Sequence, residues 1–224
     1  DYAKGDPLLQ RALIISEKAL GPEHPKTAGA LNSLANLYDH MGDYAKAEVL
    51  RQSALKIREK ALSAEHPDNA ESLSSLAIRY LDTGDCAKAE PLLQRALKIR
   101  EKALGPEHPD TAGSLNNLAV LYNNMGDYAQ AEPLLQRALR IQEKALGPEH
   151  PETATTLNNL GLLYGSIGDY AKAEPLYQRA LKIDEKAPRP DHPDTARTLA
   201  NMSFLFLDQK NKAKAQELAG KAQS

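Results

Sequence analysis

An all-α solenoid of stacked antiparallel helix pairs, about eleven helices in all, is the fold class this sequence predicts. Three observations carry it. The dipeptide His-Pro falls at 24–25, 66–67, 108–109, 150–151 and 192–193, always 42 residues apart. Gly-Asp recurs with the same step at 42–43, 84–85, 126–127 and 168–169. Between these marks apolar residues return every three or four positions, the period of one helix face rather than of a strand. Self-similarity of this kind is the signature of a repeat architecture, in which no unit can bury its apolar stripe alone.

The elements follow in order. The chain opens on "DYAKGDPLLQRAL", which enters the period at the phase of Asp43. Residues 1–22 therefore read as the second helix of a truncated repeat, and the chain as an excerpt of a longer array. Full repeats are expected at 23–64, 65–106, 107–148 and 149–190. Each begins a first helix at the Pro after His, where a missing N–H costs nothing and φ is already set. In the first full repeat Leu31, Leu34, Ala35 and Tyr38 hold the i, i+3, i+4, i+7 spacing of one buried face. Gly42 closes this helix as a residue that tolerates positive φ, and Asp43 caps the next. The second helix carries Ala47, Leu50, Ala54, Leu55 and Ile57 and stops near Ser63; Gly21, Gly105 and Gly147 stop its counterparts. Pro7, Pro91, Pro133 and Pro175 fall in the second turn of second helices, where each is expected to remove one intrahelical bond and bend the helix slightly. Residues 191–224 form a degenerate capping repeat, whose "KNKAKAQELAGKAQS" has lost Gly-Asp-Tyr and turned polar. The whole of 1–224 reads as a single array.

Leu31, Leu34, Ala35 and Tyr38, followed by Gly42-Asp43-Tyr44, Ala47 and Ala54, resemble the tetratricopeptide repeat. That family usually has a period of about 34 residues. The longer "KALGPEHP" type of connection looks like the 42-residue form of kinesin light chains and their bacterial relatives. The resemblance covers essentially the whole chain. It implies a right-handed superhelix whose first helices line a concave groove, and it implies protein or peptide binding without naming the partner. Departures stand out against it. Arg51 occupies the place of Leu9, Leu93, Leu135 and Tyr177, so a buried slot is altered there or its side chain snorkels out. Cys86 replaces the tyrosine of Tyr44, Tyr128 and Tyr170 and reads as a small buried hydrophobe rather than a reactive thiol.

Asparagine is a mediocre helix former, yet "SLNNLAVLYNN" places four in one first helix. On a helical wheel the core residues cluster on one side, while Asn32, Asn36, Asp39 and His40 fall on the opposite arc. Later repeats put Ser74, Ser75, Asn116, Asn117, Asn123, Asn124, Asn158, Asn159 and Asn201 there. By the resemblance this arc faces the groove, and these residues with Arg197 are the candidate peptide-binding set. Amide side chains offer donors and acceptors without fixed charge, which suits the backbone of an extended peptide. The outer set, Asn32, Asn116 and Asn158, is read as ligand-facing. The inner set, Asn117, Asn159 and Asn201, either contacts ligand or bonds across to the next repeat and fixes the superhelical pitch. Ile78, Val120, Leu162 and Phe204 lie on the same side as apolar anchors. Family members that clamp a chaperone's terminal carboxylate use groove cations. Here Asn32, Ser74 and Asn116 stand where Lys would be wanted, which argues against that partner.

Other function classes find little support. With 224 residues, 42% hydrophobic, and a net charge of −2, the chain can bury a core but carries no basic footprint for nucleic acid. Two Phe and no Trp leave few stacking platforms for bases. There is no apolar run of membrane-spanning length. A single cysteine points to a reducing compartment, so a cytoplasmic location is expected. Histidines one repeat apart cannot converge on a metal, and nothing assembles a nucleophile–base pair. No enzyme activity, cofactor or metal is expected. The predicted function is a non-catalytic scaffold that binds a peptide or partner segment in its groove. The alternative is a structural spacer that oligomerises other domains, with end-to-end self-association through the open N-terminal edge.

Overall fold

The computed structural model describes residues 2–63, 65–186 and 193–208. They form ten α-helices: α1 (Tyr2–Leu20), α2 (Pro25–His40), α3 (Tyr44–Leu62), α4 (Pro67–Asp82), α5 (Cys86–Leu104), α6 (Pro109–Asn124), α7 (Tyr128–Ala145), α8 (Pro151–Ile167), α9 (Tyr170–Lys186) and α10 (Pro193–Asp208). No strand occurs among the described residues. The eleventh helix expected within 209–224, and His192, lie outside them.

Local chemistry explains the boundaries. His24 Nδ1 accepts the backbone N–H of Lys26 at 3.1 Å, and His66, His108 and His150 repeat the bond with Asp68, Asp110 and Glu152. These histidines are helix caps, satisfying a donor that the helix itself leaves orphaned. Asp43, Asp85, Asp127 and Asp169 cap the second helices in the same manner. Gly42, Gly84, Gly126 and Gly168 make the turn between them with φ from 77° to 85°. The helices α1, α5, α7 and α9 continue through Pro7, Pro91, Pro133 and Pro175 without interruption.

The chain divides into two compact units, Asp1–Pro106 and Glu107–Ser224, at the repeat junction that the period places after residue 106. Within the first, α2 packs on both α1 and α3, and α4 on α3 and α5. Leu34, Ala35, Tyr38 and Ala47 form one cluster with Leu9, Leu13 and Leu50 beside it. Ala70, Leu73, Ala96 and Ile99 form another. The second unit repeats the plan, with α8 between α7 and α9 and a core of Ala154, Leu157, Ala180 and Ile183. The all-helical, paired architecture is the one the period predicts.

Within each unit a first helix is also tied to the preceding second helix. Tyr80 Oη donates to Glu48 at 2.8 Å, and Tyr164 Oη to Glu132 at 2.6 Å. Burial, then the carboxylate acceptor, pushes both phenols above their ordinary range. At the rim Lys60 pairs with Glu23 and Lys186 with Glu149, both at 2.5 Å, and Lys102 with Glu65.

Three positions depart from the repeat. Gly161 stands where Ala35, Ala77 and Ala119 stand, and its missing Cβ makes room for the buried ring of Tyr177. Ser63 ends α3 at φ 79°, a left-handed conformation that its counterparts assign to glycine. Cys86 is half-buried and not, as its replacement of tyrosine suggests, a core residue. It opens α5, at a phase whose tyrosines are themselves half-exposed or exposed, so the slot never lay in the core.

Candidate functional site

In the second unit the first helices α6, α8 and α10 lie side by side. This sideways packing decides where the asparagines go. The flank of each helix is covered by the next, so Asn116 and Asn158 are 7% and 1% exposed. Asn159 donates its amide N–H to Asn116 Oδ1 at 3.0 Å, and Asn201 donates to Asn158 Oδ1 at 3.2 Å. The residues expected outermost are thus the buried acceptors, and Asn159 and Asn201 are the half-buried donors. The two sets meet in rungs, one per helix junction.

Around the rungs lies a face with little charge. Asn117 and Asn123 are half-buried and Asn124 is exposed. Asn123 Oδ1 is buried and has no hydrogen-bond partner. Leu162 and Phe204 are exposed on the same arc, Phe204 by 66%, and Val120 is half-buried at the same phase of α6. Arg197 is exposed and pairs with Asp194 at 3.0 Å within its own helix. An apolar side chain and an unsatisfied acceptor next to each other on one face can hold a peptide segment: the first takes a side chain and the second a backbone N–H.

The first unit presents a different face. Asn32 Oδ1 and Ser74 Oγ are buried without hydrogen-bond partners. Ser75 occupies the phase of Asn159 and Asn201, and among the described residues no rung joins it to Asn32. Arg51 does not snorkel out: it is 6% exposed and turns its guanidinium toward α2. Its Nη2 donates to Asn36 Oδ1 at 2.7 Å and pairs with Asp39 Oδ2 at 2.5 Å. Arg79 completes the group, with Nε 3.2 Å from Asp39 Oδ1 and Nη1 2.8 Å from Asp82. Its guanidinium also covers the Tyr44 ring, 4.2 Å from the centroid. The sequence reading singled out Arg51 and missed Arg79. The signal was present, since Leu37, Leu121, Leu163 and Leu205 fill the phase of Arg79.

Among the described residues no cluster of three His, Cys, Asp or Glu could hold a metal ion, and no helix is long and apolar enough to cross a membrane.

Overlapping matches to the tetratricopeptide repeat model run over residues 1–60, 30–102, 80–123, 110–186 and 168–224. The chain belongs to the tetratricopeptide repeat family. Its fold is similar to that of BtubC (BKLC) from P. vanneervenii, with 27% identity, a TM-score of 0.79, and coverage of 99% of this chain and 89% of that one. It is also similar to a Podosopora anserina protein described as a kinesin light chain with nearly identical TPR-like repeats. There the identity is 28% and the TM-score 0.71, covering 89% of this chain and 94% of that one. A third likeness, to aspartyl phosphate phosphatase F from Bacillus subtilis, has 16% identity, a TM-score of 0.64, and coverage of 89% and 59%. At that identity it speaks for the fold alone. No curated protein matches the chain. The repeats are of the kinesin-light-chain-like kind, and the tetratricopeptide fold is a protein-interaction scaffold.

Proposed function

We propose that this chain binds an extended peptide segment of a partner protein along the face of its first helices, without catalysis. The observation that carries this is the set of acceptors left unpaired there: Asn32 Oδ1 and Ser74 Oγ in the first unit, Asn123 Oδ1 in the second. A buried acceptor without a donor costs about 1–3 kcal/mol, so a peptide that parts the side chains over it and brings an N–H to it recovers that cost. Leu162 and Phe204 supply the apolar contact that neutral hydrogen bonds, at about 0.5–1.5 kcal/mol each, need beside them. Within the asparagine set the roles then divide. Asn116 and Asn158 hold neighbouring first helices together, while Asn117, Asn123, Asn124, Asn159 and Asn201 face the ligand in the second unit. Asn36, Asp39, Ser74, Ser75 and Asn32 do so in the first, and Arg197 marks one end of the second face.

A random 12-residue display library panned on the immobilised chain tests this. Enriched peptides should bind with micromolar affinity and lose at least tenfold, about 1.4 kcal/mol, on Phe204→Ala or Asn123→Ala. Peptides that bind both variants as well as the parent would place the site elsewhere.

A second reading, an oligomerising spacer, has one observation in its favour. On α1, Leu8 and Ile15 are 66% and 57% exposed, whereas Ile99, Ile141 and Ile183, at the phase of Ile15, are buried. Self-association through this edge predicts a mass that rises with concentration in light scattering and returns to one chain on Leu8→Glu/Ile15→Glu.

A further inference from the structure

Four residues break the repeat pattern together. Arg51 stands where Leu9, Leu93, Leu135 and Tyr177 stand, and Arg79 where the other repeats have leucine; Asp39 stands where Leu81, Asn123, Gly165 and Leu207 stand, and Asn36 where Ile78, Val120, Leu162 and Phe204 stand. They come from three helices, α2, α3 and α4, and meet in one layer through the contacts of Arg51 with Asn36 and Asp39 and of Arg79 with Asp39. Two apolar core positions have become cationic, and the residues that receive them on α2 sit at half-buried and exposed phases.

Stability does not explain the exchange. A buried ion pair is commonly no better than apolar residues of similar volume, while removing one partner is strongly destabilising. This layer is also incompletely satisfied: Arg51 Nε and Nη1 have no hydrogen-bond partner. What such a layer does supply is discrimination. The first helices are otherwise so alike that α6, α8 or α10 carries the same apolar stripe as α4, and mispairing between like repeats is a characteristic failure of such arrays. A first helix with Leu121, Leu163 or Leu205 at the phase of Arg79 would leave Asp39 with one cation and the Tyr44 ring uncovered. Conversely, α4 docked on a helix pair that carries Leu81, Asn123 or Gly165 at the phase of Asp39 would bury Arg79 against no carboxylate.

We propose that the Asn36–Asp39–Arg51–Arg79 layer is a pairing key, which admits α4 and rejects the other first helices as the neighbour of the α2–α3 pair. A single buried polar layer fixes register in coiled coils by the same logic, at some cost in stability.

The test compares the 224-residue chain with Asp39→Leu, Arg51→Leu and Arg79→Leu singly and together. Each single variant should unfold at lower urea than the parent. The triple variant should unfold at the same or higher urea, yet refold by dilution with a severalfold larger fraction of dimers and larger species in size-exclusion chromatography. Reversing the charges supplies a second readout: Asp39→Arg, which sets a cation against both Arg51 and Arg79, should raise the misassembled fraction, and Asp39→Arg/Arg51→Asp/Arg79→Asp, which restores opposite charges across both contacts, should lower it again. A triple variant that refolds as cleanly as the parent overturns the proposal. So does one that is less stable than the parent, because the layer would then be an ordinary stabilising contact.

Discussion

Replacing Gly161 by Ala would place a methyl group in space that the Tyr177 ring already fills. A Cβ built there lies 2.8 Å from Tyr177 Cε1 and 2.9 Å from Cδ1 and Cζ. That is roughly 1 Å inside the carbon–carbon optimum. Tyr177 is 2% exposed and cannot swing into solvent; the same burial holds its phenol well above the ordinary range. Two effects oppose. Helix propensity favours Ala over Gly by about 1 kcal/mol. Overpacking a core costs about 1–3 kcal/mol, and three atoms of a rigid ring place this site in the upper part of that range. A net loss of about 1–2 kcal/mol is expected, a fall of about 2–8 °C in Tm for a chain of this size. Tyr177→Leu alone leaves a void and costs about 1–3 kcal/mol. The combined variant, however, recreates the pairs Ala77–Leu93 and Ala119–Leu135, whose members are all buried at the same phases. It should lie within about 1 kcal/mol of the parent, a coupling of about 2 kcal/mol between touching residues. Urea unfolding followed by far-UV circular dichroism measures all four proteins, with midpoints compared because repeat arrays do not always unfold in two states. A Gly161→Ala chain as stable as the parent, or two single penalties that simply add, would refute the reasoning.

Ser63→Gly should stabilise the chain by about 1 kcal/mol, because Ser63 holds φ 79° where Gly21, Gly105 and Gly147 hold 97° to 102°; a thermal midpoint that falls would contradict this. Asn158→Ala removes the acceptor of a buried rung and should cost about 1–3 kcal/mol, whereas Asn124→Ala, at an exposed position, should stay within about 0.5 kcal/mol in the same urea assay. The caps predict an acid response. The side-chain hydrogen bonds from Lys46, Lys88 and Lys172, ahead of every other cause, hold Asp43, Asp85 and Asp169 below the ordinary carboxylate range. A depressed folded pKa contributes stability that is present above the unfolded value of about 4 and is lost as pH falls through the folded value. The urea midpoint should therefore drop below about pH 4, and Asp43→Asn/Asp85→Asn/Asp169→Asn, which cap at any pH, should drop less; parallel curves for the two proteins would remove the caps from the explanation.

Helix positions were legible because each carries its own punctuation. A Pro that cannot continue the previous segment, an Asp that caps and a Gly that turns recur at fixed phases, so Pro25 and Tyr44 begin helices where the period says they should. The asparagines were harder for a definite physical reason. A helical wheel ranks residues by angle from one helix's own buried stripe, and on that scale Asn116 and Asn158 point outward. In the folded unit a second first helix lies against that flank, and the same residues become the most buried of the set. No wheel contains its neighbour. What the sequence does contain is the comparison between repeats at equal phase. Arg51 was visible in that comparison, and Arg79 and Asp39 were equally visible, each replacing an apolar or neutral residue. The exchange of Ala for Gly at 161 and of Leu for Tyr at 177 appears in the same repeat, and the two side chains touch. Compensating departures must lie in contact, because a charge or an oversized ring is tolerated in a core only where an adjacent residue has changed to receive it. In a protein of near-identical repeats, the positions that break the period together therefore carry the tertiary information that the period itself averages away.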